Sequence, residues 1–137
     1  MHTRDSAEDT LRLLKEEGAD AVGGVMHCFT ENWDIAKQAL DLGFHLSFSG
    51  IVTFKNALVV KEVAQKCPLD RMLVETDAPY LLPRDLSPKP KSRRNEPAFL
   101  PHIAASIAML RGEPVTQLLA HTRATSRAFF RLDEVPL

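Results

Sequence analysis

Residues 73–97 read "LVETDAPYLLPRDLSPKPKSRRNEP". The segment leaves an apolar run, turns acidic at Glu75 and Asp77, and then becomes proline-rich and basic. The preceding "RMLVET" has the length and composition of a buried strand, expected over 71–76. A loop then runs over 79–95 with four prolines, Pro79, Pro83, Pro88 and Pro90. Loops of that length in a compact domain usually carry function. Carboxylates at the end of a buried strand, under a long loop, are what a parallel α/β sheet places at its functional edge.

The flanking sequence repeats the same unit. Ala7, Leu11 and Leu14 at helical spacing, with Asp5 and Ser6 before them, predict a helix over 6–17 ended by Gly18. "AVGGVMHCF" predicts a short strand at 21–26. Thr30 is the expected cap of a second helix carrying Trp33, Ala36, Ala39 and Leu40. "FHLSFSG" alternates Phe44, Leu46 and Phe48 against His45, Ser47 and Ser49, a strand of period 2. Asn56 is the expected cap of a third helix, which Pro68 ends. Pro97 and Pro101 open a helix running to Gly112, and a last helix starts near Pro114. Strand alternating with helix implies right-handed crossovers and a parallel sheet in one domain over 1–137.

Composition narrows the class. The chain has 137 residues, 45% of them hydrophobic, enough for a core of its own. A formal net charge of -1 gives no global attraction for nucleic acid or membrane, so any electrostatic recognition must be local. Cys28 and Cys67 form no CxxC and no disulfide framework, which fits a reducing compartment. No apolar run spans a bilayer and no leader opens the chain, so a soluble cytoplasmic protein is expected.

Three side chains that suit a metal recur at one edge. His2 precedes the first helix, His27 ends the first strand, and Asp77 follows "LVET". Two imidazoles and a carboxylate suit zinc, manganese or nickel, and the carboxylate suits magnesium. A lone histidine near a strand end is more often a hydrogen-bonded core residue, and a lone Asp before "APY" more often a turn cap. Their recurrence at the same edge favours the metal. His45, His102 and His121 lack that placement and are read as structural or surface residues. Arg84, Lys89, Lys91, Arg93 and Arg94 set five cations in eleven residues of the loop that overhangs this edge, placed to pair with phosphate or simply to be solvated. Tyr80 is the nearest aromatic residue for base stacking.

"MHTRD", "GGVMHCFTEN", "LGFHLSFSGIVTF", residues 73–97 and "IAMLRG" together resemble the successive motifs of the TatD family of metal-dependent hydrolases. The resemblance runs from residue 1 to about 130. It implies an amidohydrolase-like (β/α)8 barrel, a divalent metal site of up to two ions, and deoxyribonuclease activity, including 3′ exonuclease activity, with DNA as substrate. By resemblance His2 and His27 are metal ligands, and Asp77 is a metal ligand that orients or deprotonates the attacking water. Arg4, Arg93 and Arg94 are candidate phosphate contacts, while Glu75 and Tyr80 are candidate supports of the site. The family's "HxH" pair and its metal-bridging glutamate have no counterpart here, so the resemblance covers the carboxyl-terminal half of the barrel. Little or no nuclease activity is expected of this chain alone. Two other readings stand beside it: a non-catalytic truncated form that self-associates through exposed strand edges, and a hydrolase of small esters or amides. Thr125 stands where the family usually has asparagine, which bears on how the last helix packs.

Overall fold

The computed structural model describes residues 1–132; residues 133–137 of the expected domain lie outside them. Helix α1 (Ala7–Glu16) buries Leu11. Ser6 occupies its cap position but makes no side-chain cap bond, contrary to the capping expected there. A short 3-10 turn, Ala19–Ala21, takes up the first residue of the expected 21–26 strand, and β1 begins only at Gly24, running to Met26. Gly23 makes the corner between them at φ +70, where a side chain would also press on the Gly43 carbonyl.

Helix α2 (Trp33–Asp41) is capped by Asn32, not by Thr30. Thr30 lies too far upstream, whereas Asn32 Oδ1 accepts from the Ile35 amide at 3.0 Å. Strand β2 (Phe44–Phe48) follows. Helix α3 (Leu58–Lys66) starts after Ala57, one position beyond Asn56, and has no side-chain cap. Strand β3 is Met72–Val74, helix α4 Leu100–Arg111 and helix α5 Val115–Phe129. Gly112 ends α4 in the left-handed conformation, as expected.

The strands form one parallel sheet in the order β1-β2-β3. Met26 pairs with Leu46 and Leu46 with Met72, so these side chains share one face. All three are essentially inaccessible and pack with α2, α3 and α4 residues Ala36, Ala39, Val63 and Ile107 in the core. Val25, Ser47 and Leu73 occupy the opposite face and line a cavity of about 390 Å³, closed on one side by Ser126, Phe129 and Phe130 of the α5 end. Parallel strands alternating with helices, with a second face turned toward an interior, are the architecture of part of a (β/α)8 barrel.

Two contacts fix where β3 begins. Arg111 Nη1 donates to the carbonyls of Ala64, Gln65 and Cys67 at 2.9, 3.0 and 2.9 Å, closing the carboxyl end of α3. Thr125 Oγ1 donates to Leu69 O at 3.0 Å, tying α5 to the turn just before β3. Threonine at this position therefore anchors the last helix by its hydroxyl.

Candidate metal centre and its loop

Each strand carries its pairing past its last residue. His27 N donates to Met1 O and the Met1 amino group to Val25 O, both at 2.8 Å, so the opening residues lie along β1 like a neighbouring strand. Phe29 N donates to Ser47 O at 2.9 Å and Glu75 N to Phe48 O at 3.0 Å. These bonds bring His2, His27 and Glu75 to one edge, at the carboxyl ends of the strands.

There the structure gathers His27, Glu75 and Asp77, whose candidate ligand atoms all lie within 4.8 Å of one another. His27 Nδ1 stands 2.7 Å from Glu75 Oε1 and Nε2 stands 3.4 Å from Asp77 Oδ1. The His2 ring centroid is 5.7 Å from that of His27. Glu75 and Asp77 are two residues apart on extended backbone, so both turn toward His27. Glu75 Oε1 is buried and, despite its short approach to His27, lies off the hydrogen-bond direction and has no hydrogen-bond partner among the described residues. A buried carboxylate oxygen without a donor is costly, and a cation or a realigned N–H would satisfy it. Imidazole beside carboxylate is a donor set that divalent cations accept.

A cleft of about 330 Å³ opens beside this cluster, lined by His2, Arg4, Asp5, Cys28, Asp77 and Leu81 among others. Arg4 is thus in the cleft. Arg93 and Arg94 are exposed on the loop and are not among the residues that line it. Tyr80 is 73% exposed, with its backbone amide bonded to Asp77 O at 2.7 Å. Arg84 is not among the residues that line the cleft, and its guanidinium lies 4.9 Å from the Phe54 ring. A larger groove of about 660 Å³ between α1 and α2, lined by Glu8, Arg12 and Gln38, holds none of these groups.

Three residues that the sequence reading passed over shape the loop. Asn95 is 1% exposed; its Nδ2 donates to Tyr80 O at 2.7 Å and its Oδ1 accepts from Glu96 N at 2.9 Å. Gly50 sits where a Cβ would collide with the Leu81 carbonyl, so the loop packs on its bare backbone. Thr53 Oγ1 accepts from Arg84 N at 2.8 Å. A lone Asn in a basic run carries no periodic signal, but a glycine directly after a strand is a cue to close backbone approach. Cys28, 3.2 Å from Ser49 Oγ, has its thiol pushed up to about 11, chiefly by burial and further by the neighbouring carboxylates of Asp77 and Glu75.

Comparison with known proteins agrees with this fold. The family model "TatD related DNase" matches residues 1–131. The chain is 46% identical over 134 residues to the 3'-5' ssDNA/RNA exonuclease TatD of Klebsiella pneumoniae, covering 97% of this chain and 51% of that protein. It is 42% identical over 133 residues to the metal-dependent hydrolase YabD of Bacillus subtilis, covering 97% of this chain and 51% of that protein. The chain therefore spans about half the length of these curated relatives. Among solved structures, the TatD homologue YJJV of Escherichia coli superposes with TM-score 0.82 at 25% identity, over 98% of this chain and 49% of that one. A TatD family hydrolase from Entamoeba histolytica gives TM-score 0.81 at 25% identity, over 92% and 48%. On motif order, fold and the match over residues 1–131, the chain belongs to the TatD family.

Proposed function

We propose that this chain carries the carboxyl-terminal part of a metal-dependent phosphodiesterase site acting on the 3′ ends of DNA. The observation that supports this reading most is the convergence of His27, Glu75 and Asp77 within 4.8 Å beside the cleft that holds His2 and Arg4. His2, His27 and Asp77 would hold a divalent cation. Such an ion, magnesium, manganese, zinc or nickel, would supply Lewis acidity and lower the pKa of a bound water. The chain's own groups do the rest. Asp77 orients the attacking water and accepts its proton as oxygen attacks phosphorus and the bond to the 3′ oxygen breaks. Arg4, inside the cleft, pairs with a phosphate oxygen, and Arg93 and Arg94 meet the backbone farther out.

Three donors fall short of what a two-ion mechanism requires, so the 137-residue polypeptide is expected to turn over slowly. The test uses single-stranded DNA labelled at its 5′ end, with manganese, and compares this polypeptide with a chimera that joins it to the amino-terminal half of a TatD relative. The chimera should shorten DNA from the 3′ end, and Asp77→Ala should abolish this. An inactive, folded chimera would remove the nuclease reading; full turnover by the 137-residue chain would overturn the expectation of weak activity. Self-association through the sheet edges is a separate proposal, and a monomer by light scattering would end it.

A further inference from the structure

The cluster contains an ambiguity that its geometry resolves. Each nitrogen of His27 has a carboxylate oxygen near it: Glu75 Oε1 lies 2.7 Å from Nδ1 and Asp77 Oδ1 lies 3.4 Å from Nε2. The two lone-pair directions of an imidazole diverge, so a single ion uses one nitrogen while the other carries the proton. The surroundings distinguish them. Asp77 shares its cleft with His2 and Arg4, the side open to a phosphate. Glu75 lines the other cavity, among Val25, Leu73 and Phe129, under the inner face of the sheet. Its Oε1 is buried and, among the described residues, lacks a hydrogen-bond partner.

We propose that Glu75 is a positioning residue: its carboxylate accepts the Nδ1 proton of His27, fixing the tautomer that leaves Nε2 free on the side of Asp77. This rests on the reading of the site as a metal centre. It excludes Glu75 from the ligand set, although distance alone would admit it. The 2.7 Å separation of Nδ1 and Oε1 is within hydrogen-bonding distance, and the oxygen takes no other partner among the described residues. A carboxylate behind a ligating histidine orients the ring and raises its basicity, and losing such a partner typically weakens metal binding by about 10–100-fold. The largely apolar surroundings of Glu75 strengthen such a contact, because a low local dielectric raises its worth.

The test has two arms. Nitrogen-15 NMR of the imidazoles in the metal-free chain, at a pH where they are neutral, should show His27 with its proton on Nδ1, and Glu75→Ala should shift it toward Nε2. Manganese binding by calorimetry should fall about 10–100-fold in Glu75→Ala but little in Glu75→Gln, whose amide oxygen still accepts the proton. Equal losses in the two variants would make Glu75 a ligand and overturn the proposal. So would a wild-type His27 protonated on Nε2. Melting curves check that both variants fold, and the glutamine variant preserves side-chain volume if alanine does not. The NMR arm needs neither metal nor DNA, so failure of the nuclease reading leaves it decisive for the role of Glu75.

Discussion

The long loop after β3 has two parts built on opposite principles. Its ends are pinned: Tyr80 and Leu81 rest on Asn95 and Gly50, and Arg84 is held by Thr53 and Phe54. Its middle, with Lys89, Lys91, Arg93 and Arg94, is exposed or half-buried. The difference separates two tasks. Groups that face the cleft need fixed positions, whereas groups that gather phosphate need only be cationic and near.

The comparison breaks first at Asn95. Asn95→Ala leaves the Tyr80 carbonyl and the Glu96 amide without their partner and should cost about 2–3 kcal/mol, read by urea unfolding. Gly50→Ala should cost about 1–3 kcal/mol, because the Leu81 backbone must move away from the new methyl group. Cysteine labelling then tells local loosening from general unfolding. Burial holds Cys28 at about 11 and Cys67 at about 12, so both should resist iodoacetamide at pH 8 in the wild type. Gly50→Ala should speed labelling of Cys28, beside the loop's resting place, and leave Cys67 slow. The smallest effect on stability belongs to the middle of the loop. Arg93→Ala with Arg94→Ala should stay within about 0.5 kcal/mol of wild type. DNA binding should nonetheless weaken, with the salt slope falling by roughly 1–2.

Much of this was legible in the sequence. The alternation of β2 and the apolar spacing of α1, α2 and α4 identify the sheet and its helices, because burial on one face leaves a periodic trace. Strand-end placement singles out His2, His27 and Asp77; the structure groups His27 and Asp77 with Glu75, which the sequence offers only as a support, while His2 lies outside that group. The caps were less legible. Thr30 and Asn56 both have cap chemistry, yet Asn32 and Ala57 hold the positions, since the start of a helix depends on where tertiary packing stops the preceding loop. Asn95 was hidden for a similar reason. Its partners are carbonyls about fifteen residues away, and nothing local distinguishes it from a solvated asparagine.

The fork of Arg111 has a consequence for what sequence drift this fold tolerates. Three carbonyls from the end of α3 converge on one nitrogen of that side chain, while its Nε is taken by Glu113 at 2.6 Å. A lysine there would keep the charge but offer a single ammonium on a flexible stem to groups arranged for a rigid plane. Since α3 hands the chain on to β3, the usual interchange of one base for the other would be felt where β3 ends, at Glu75 and Asp77, far from the altered residue in the chain.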